Sequence, residues 1–172
     1  MCLPPGSPRI AIRFLVATSI SFLLIGCGFQ LRGQADLPFE RIYVETQGFS
    51  LFAAELMRVI QSGDAVEVMD SPDEAQVVLK VLNERRERKI LSLRSSGAVS
   101  EFLLVYRVSY RVTDNQNKDL VAPNEISLRR AMTYDDQVIL GKESEEELLF
   151  RDMQADAVQQ MLRRLSVVLV SA

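Results

Sequence analysis

Few residues of this chain have the chemistry that catalysis usually requires. The 172 residues include no histidine, which is the commonest general base and metal ligand in proteins. No serine lies in a Gly-x-Ser-x-Gly turn, and no glycine-rich phosphate loop is present. The carboxylates of Asp135 and Asp136 could form an acid–base pair, although such a pair between a strand and a helix is more often loop. The sequence therefore predicts a protein that is not an enzyme, without catalytic or metal-binding residues.

A secretory leader is predicted at the start of the chain. Arg9 and Arg13 supply positive charge before an apolar run over residues 14–25. These twelve residues are too few to span a bilayer, which takes about 20. They match the apolar region of a signal peptide instead. We therefore predict that residues 1–26 are a lipoprotein signal peptide.

The thiol of Cys27 is the reactive group at the end of this leader. The run ends in Leu-Ile-Gly-Cys, which resembles the lipobox of bacterial lipoproteins. In that motif a small residue, here Gly26, fits the peptidase groove before the cut, and the cysteine sulfur receives a diacylglycerol. The resemblance implies lipid attachment at Cys27, and a multiply acylated cysteine would hold the protein firmly on a membrane. The alternative is a plain secretory leader that happens to contain a cysteine.

The residue after the cysteine and the charge of the mature chain bear on location and partners. Lipoproteins held at the inner membrane often carry aspartate where this chain has Gly28, so the resemblance implies the periplasmic face of the outer membrane.

Cleavage would leave 146 residues with 18 basic and 23 acidic side chains, a net charge of −5. Such a balance argues against a nucleic-acid partner. With Cys2 removed and Cys27 acylated, we expect no disulfide within the chain and no cofactor beyond the covalent lipid.

The mature chain alternates between segments with strand and helix periodicity. Residues 27–40 are predicted to be a lipidated tether, because glycine and proline interrupt them without a period. Residues 41–172 are predicted to form one domain. Its elements are a strand at 41–45, a helix at 51–61, a brief extended piece at 65–69, a long strand from 75, a loop at 92–100, a strand at 102–112, a hairpin connection at 114–119, a strand at 125–134 and a helix at 145–168.

Capping residues mark both predicted helices. Ser50 is placed to cap the first helix, and Gly63 follows it where a helix commonly ends. Ser144 and Glu147 match a capping box at the start of the second helix. Each helix has one apolar face for a core, and Leu149 lies on that face of the second helix.

The strand over residues 102–112 has the clearest pattern. Its even-numbered residues are all apolar, whereas the opposite face includes Arg107, Ser109 and Arg111, so one face is expected in the core and the other partly wet. A run of strands between two amphipathic helices is typical of an α+β fold. We predict a two-layer sandwich in which two helices pack on one face of a mostly antiparallel, mixed β-sheet of about four strands.

The residues around Cys27 resemble a known family. Residues 26–33 read Gly-Cys-Gly-Phe-Gln-Leu-Arg-Gly, which is similar to the opening of the LptE family of lipopolysaccharide-assembly lipoproteins, and the order of elements is similar as well. The resemblance implies a lipoprotein that plugs the β-barrel LptD, helps that barrel fold and binds lipopolysaccharide for delivery to the outer leaflet. A barrel lumen is polar, so the wet face at Arg107, Ser109 and Arg111 would suit it. An ordinary solvated sheet face has the same pattern.

Cations are the candidates for binding lipopolysaccharide, which carries phosphates and carboxylates. Residues 85–111 contain seven cations and two acids, a local net charge of +5. Strand alternation would spread those at 85–89 over both faces. The family resemblance implies lipopolysaccharide binding by Arg94, in a loop shortly before Gly97, and by Lys142, in the loop before the last helix. Both could equally be solvated loop charges.

Two other function classes are compatible with an anchored periplasmic domain. The first is an accessory lipoprotein subunit of another envelope transport or secretion complex. The second is an anchored enzyme, against which the missing histidines and thiols argue. The identity of the partner would separate the first class from an LptD plug, because only the plug should be found inside the barrel.

Overall fold

The structure, a computed structural model, describes residues 37–168, which form a β-sheet with helices on one face. The strands in this range are β1 (Arg41–Thr46), β2 (Glu67–Val68), β3 (Val77–Leu93), β4 (Val99–Thr113) and β5 (Asp119–Thr133). The α-helices are α1 (Leu51–Gln61) and α2 (Ile139–Val168). Short 3₁₀ turns at Pro72–Glu74 and Asp136–Val138 precede β3 and α2.

The sheet is mixed, in the order β2-β1-β3-β4-β5. Strand β1 is parallel to β2 and to β3, whereas the long strands β3, β4 and β5 are antiparallel. The predicted α+β fold is therefore confirmed, but the prediction of about four strands is one too few. The fifth strand is β2, which lies within the extended piece predicted at residues 65–69; its two residues are too few to show the alternation that identifies a strand of the sheet.

The core lies between the sheet and both helices. The even-numbered residues of β4 from 104 to 112 are at most 2% exposed, which confirms the predicted alternation. Helix α1 adds Phe52 and Leu56 to the same core, and α2 adds Met153 and Met161. Both helices thus pack on one face, as predicted. Leu149 packs against this core but is only partly buried.

The helix starts differ in how well the sequence predicted them. The Oγ of Ser50 accepts a hydrogen bond from the N–H of Ala53 at 3.0 Å, so Ser50 caps α1 as predicted. Helix α2 begins at Ile139 rather than at residue 145. Ser144 lies inside it and donates to the carbonyl of Leu140 at 3.1 Å. The predicted capping box is therefore wrong, because the same Ser-x-x-Glu spacing also occurs within helices.

The connection between β3 and β4 is shorter than the predicted loop. The strands pair as far as Leu93 and Val99, so only residues 94–98 form the turn. Gly97 adopts φ +84°, a left-handed conformation that favours glycine. The long predicted loop is wrong. Its serines and glycine are typical of loops, but Ser92 pairs with Glu101 and so belongs to the strands.

One end of the sheet is built from the long strands alone. Strand β1 pairs with residues 77–81 of β3, and the remainder of β3 pairs only with β4. Strand β5 lies at the edge and begins at Asp119 rather than at residue 125; Pro123 interrupts its pattern but is tolerated in an edge strand. The turn with Arg94 closes this end, which consists of β3, β4, β5 and the start of α2.

Candidate functional site

Arg94 follows β3 directly, at the tip of the β3–β4 hairpin. Its main-chain N–H donates to the carbonyl of Ala98 at 2.8 Å, and its carbonyl accepts from Gly97 at 2.9 Å. The side chain is exposed, and its Nη2 donates to the main-chain carbonyl of Tyr134 at 3.0 Å. A carbonyl is neutral, and within residues 37–168 no carboxylate forms an ion pair with Arg94. The guanidinium charge is therefore held in place and still available to a ligand.

Lys142 has a different environment from the one predicted. It lies in the first turn of α2 rather than in a loop, because the helix begins at Ile139. Its Nζ donates to the Oγ1 of Thr133 at 3.3 Å and forms an ion pair with Glu145 at 2.7 Å. The side chain is only 18% exposed. Since its charge is already compensated, Lys142 is a weaker candidate for binding an anion than Arg94.

The structure brings Arg94 and Lys142 to the same place. Arg94 bonds to the carbonyl of Tyr134, and Lys142 bonds to the side chain of the preceding residue, Thr133. Tyr134 is itself fixed, because its N–H donates to Ser100 at 2.8 Å and its ring packs edge-on against Phe102 with centroids 4.9 Å apart. Two cations that are distant in the sequence thus meet at the end of β5.

Carboxylates also lie at this end of the molecule. Asp135 and Asp136 follow Tyr134 in the chain, and Glu143 and Glu145 lie in the first turns of α2. The Oδ1 of Asp135 accepts from the N–H of Gln137 at 3.1 Å, as expected of a loop aspartate that begins a turn. The site therefore contains acidic as well as basic side chains, so net charge alone does not identify it as an anion-binding site.

Two arginines of the predicted basic stretch hold α2 against the sheet. Arg86 donates to Gln154 at 2.9 Å and lies over the ring of Phe150 at 5.6 Å. Arg88 forms an ion pair with Glu146 at 2.8 Å and lies over the ring of Phe102 at 4.8 Å. Cation–π contacts of this kind stabilise packing. Both side chains are exposed but engaged with α2, so their charges are already partnered within the fold, unlike that of Arg94.

Arg130, which interrupts the apolar pattern of β5, has the same role. It pairs with Asp152 at 3.6 Å and with Asp156 at 2.6 Å, both on α2. Arg164, near the other end of α2, donates to the hydroxyl of Tyr110 at 2.8 Å. Arg130 on the sheet and Arg164 on α2 both bridge the two layers, so they position α2 and with it Lys142.

Apart from Arg94, the other cations of the stretch lie on the open face of the sheet and are paired. Arg107 contacts Glu125 at 3.6 Å, and Arg111 forms an ion pair with Asp119. Lys89 forms an ion pair with Glu87 at 3.0 Å, and the hydrogen bond from Lys89 lowers the pKa of the Glu87 carboxyl. The predicted division of the cations between two faces is thus seen. The open face is polar and carries ion pairs.

A partly buried polar contact links the start of α1 to the centre of the sheet. Both Ser50 and Tyr106 donate to the carboxylate of Glu84, each at 2.7 Å. Burial first, and then the hydrogen bond to Glu84, raise the pKa of Tyr106 well above the ordinary tyrosine value. The phenol therefore stays neutral and keeps donating. This contact stabilises the fold and carries no predicted function.

Cys27, the signal peptide and most of the tether lie outside the described residues. Within residues 37–168, no cluster of three or more potential ligands for a metal ion is present. In the same part of the chain, none of the helices has the length and apolar composition needed to cross a membrane.

A model of one protein family matches most of this chain. The model for LptE, described as lipopolysaccharide-assembly, matches residues 39–165, which is most of the described domain. This chain belongs to the LptE family. The family predicted from residues 26–33 and from the order of elements is thereby confirmed, through a match that itself begins at residue 39.

One LptE protein and two lipoproteins of solved structure are similar to this chain. The LPS-assembly lipoprotein LptE of Yersinia enterocolitica is 24% identical over 146 residues, covering 83% of this chain and 70% of the relative. Lipoprotein B from Nitrosomonas europaea has a solved structure that is 42% identical, with a TM-score of 0.71, covering 81% of this chain and 91% of that one. The rare lipoprotein B from Shewanella oneidensis is 25% identical, with a TM-score of 0.67, covering 77% and 98%. The chain is thus a lipopolysaccharide-assembly lipoprotein by family.

Sequence reasoning missed several residues at this end of the LptE domain. Thr133 and Tyr134, which accept hydrogen bonds from Lys142 and Arg94, were expected only to end a strand. Residues 138–140, Val-Ile-Leu, were expected to be loop, although such an apolar run is unusual for a solvated loop. That composition was the one signal that could have directed attention to them.

Proposed function

We propose that this chain is an outer-membrane lipoprotein that plugs the LptD β-barrel, helps that barrel assemble and binds lipopolysaccharide for delivery to the outer leaflet. Membership of the LptE family supports a role in lipopolysaccharide assembly. The observation that carries the binding role is Arg94, an exposed arginine that is held by the carbonyl of Tyr134 and lacks a carboxylate partner among the described residues. A guanidinium in that state can form two parallel hydrogen bonds to a phosphate.

The anchor is part of the proposal. Residues 1–26 would be removed as a signal peptide, and the lipid on Cys27 would hold the protein at the periplasmic face of the outer membrane. Residues 27–40 would then be the lipidated tether of the domain at 41–172. More than one acyl chain on Cys27 would make the attachment stable, since a single chain gives only marginal binding. No further cofactor is required.

The surface of the domain suits a plug. The open sheet face carries ion pairs such as Arg107 with Glu125 and Lys80 with Glu45, and it has no need of an apolar partner. The lumen of a large barrel is polar and water-lined, so a domain that fills it needs polar surfaces of this kind. The role proposed is structural and binding, without catalysis.

Within the binding site the two cations have different proposed roles. Arg94 would contact a phosphate directly, because its charge is not compensated by a neighbouring acid. Lys142 is paired with Glu145 and bonded to Thr133, so it would hold the end of β5 in place and contribute to binding at longer range. Screening by the nearby acid weakens its attraction for an anion.

Recovery of partners tests the proposal. Tagged, lipidated protein is purified from detergent-solubilised outer membranes, with a Cys27→Ala variant as the control that cannot be acylated. We expect the wild-type protein to bring down one large, heat-modifiable β-barrel together with lipopolysaccharide. Recovery of a different envelope complex would favour an accessory subunit instead, and recovery of no barrel would contradict the plug.

A further inference from the structure

We infer that the end of the sheet around Arg94 accommodates the acyl chains of a phosphorylated amphiphile, on exposed apolar side chains on both sides of the arginine. These side chains form what we call the apolar rim. They are Ile90, Leu91, Leu93, Val138, Ile139 and Leu140. The inference rests on the proposed lipopolysaccharide binding and specifies which part of the ligand this surface contacts.

The apolar rim stands out from the rest of the surface. Ten large apolar side chains are exposed in residues 37–168, and six of them belong to the rim. Leu140 is 81% exposed and Ile90 is 61% exposed. Single exposed apolar residues are normal, but a concentration of them in one region marks a surface that contacts another molecule.

Two segments that are distant in sequence form the rim, and hydrogen bonds join them. Leu93 is followed directly by Arg94, whose side chain bonds to the carbonyl of Tyr134. Tyr134 precedes the turn at Asp136–Val138, whose Val138 belongs to the second segment. Ile90 pairs across the sheet with Phe102, and the ring of Phe102 packs on Tyr134. The apolar residues therefore lie on two segments that the bond from Arg94 to Tyr134 connects.

The charges of this end favour an amphiphile over a purely ionic ligand. Asp135, Asp136 and Glu143 lie close in sequence to the second segment, and Glu145 already pairs with Lys142. A soluble polyanion would meet one available arginine among several acids. An amphiphile presents an anionic group beside apolar chains, so it can contact Arg94 and bury the rim at once. Burial of apolar surface is insensitive to the neighbouring acids.

A binding experiment with two probes tests the inference. The lipidated full-length mature protein is placed in phosphatidylcholine nanodiscs, and binding of intact lipopolysaccharide is compared with binding of the deacylated form. The rim is changed by Leu93→Ser with Leu140→Ser. The matched control is Leu51→Ser, which alters an exposed leucine outside the rim, at the start of α1. Circular dichroism confirms that each variant is folded.

The inference has a specific expected pattern. The rim variant should bind intact lipopolysaccharide about tenfold or more weakly, because two leucines no longer bury against acyl chains. Its binding of the deacylated form, and all binding by the control variant, should stay within about twofold of wild type. Unchanged binding of the intact form by the rim variant would overturn the inference, and so would an equal loss for both probes.

The same experiment separates this inference from the proposed function. If the wild-type protein binds neither probe, the proposed lipopolysaccharide binding itself fails. If the rim variant binds lipopolysaccharide normally but no longer recovers the barrel from membranes, the rim contacts protein instead of lipid, and the inference is overturned while the proposed function stands.

Discussion

The guanidinium of Arg94 donates a hydrogen bond to the main-chain carbonyl of Tyr134 at 3.0 Å, across 40 residues of sequence. This bond ties the tip of the β3–β4 hairpin to the end of β5. It also leaves the arginine without an acidic partner among the described residues, which distinguishes Arg94 from Lys142 with its ion pair to Glu145. A bound phosphate could therefore contact Arg94 without first displacing a carboxylate.

Replacement of Arg94 by glutamate should weaken lipopolysaccharide binding about tenfold to a hundredfold, because a charged hydrogen bond is lost and a repulsive charge is added. Barrel assembly should remain, since a surface substitution in a turn seldom changes stability much. The measurement is lipopolysaccharide binding by the purified lipoprotein. Arg129→Glu is the matched control, because Arg129 is also exposed, on β5 opposite Val105. Equal binding by Arg94→Glu and wild type would refute the site.

Replacement of Lys142 by alanine should have a smaller effect, about threefold or less on lipopolysaccharide binding, because the charge is already paired. The double variant with Glu145→Gln provides the comparison. If Lys142 acts mainly by holding Glu145 and Thr133, the double variant should bind no worse than Lys142→Ala alone. A loss for Lys142→Ala as large as that for Arg94→Glu would show that both cations contact the ligand directly.

Two leucines that the sequence predicts to face the core should differ in how much stability their truncation costs. Leu104 is fully buried, so Leu104→Ala should lower the free energy of unfolding by about 2–5 kcal/mol. Leu149 is only partly buried, and Leu149→Ala should cost less, about 1–2 kcal/mol. Urea denaturation of both variants measures the difference. A Leu104→Ala protein as stable as wild type would contradict the assignment of the sheet faces.

Tyr106 should make stability fall at alkaline pH. Its pKa is raised in the folded protein by burial and by the hydrogen bond to Glu84. The unfolded chain releases the phenol proton near pH 10 while the folded protein keeps it, so the stabilising contribution is present below about pH 10 and is lost above it. Between about pH 8 and about pH 11, wild type should lose more stability than Tyr106→Phe, as measured by urea midpoints. Equal losses would show that Tyr106 titrates normally.

The sequence predicted those parts of the fold that depend on local pattern. The alternation in β4 identified the buried face, because every second residue from Leu104 to Val112 is apolar and one strand has two faces. Ser50 identified the start of α1, since the cap acts over three residues. The family resemblance likewise depended on a short contiguous segment, residues 26–33, together with the order of elements.

The parts that were wrong depend on contacts distant in sequence or on ambiguous local signals. The start of α2 was placed too late, because Ser144 and Glu147 have capping-box spacing and Gly141 lowers helix propensity in the turn that precedes them. The meeting of Arg94 with Tyr134 follows from the pairing of three strands, which no local pattern reveals. The division of the basic stretch between two faces was predicted from alternation, but its contacts with α2, from Arg86 to Gln154 and from Arg88 to Glu146, were not.

Site-specific photo-crosslinking in living cells would test the proposed binding site most directly. A photoreactive residue is placed at Ser95, beside Arg94, and separately at Asn115, an exposed residue in the β4–β5 turn at the opposite end of β4. We expect an adduct with lipopolysaccharide from position 95 that is lost in Arg94→Glu, and little or none from position 115. Absence of an adduct from position 95, or equal adducts from both positions, would contradict lipopolysaccharide binding at this end of the domain.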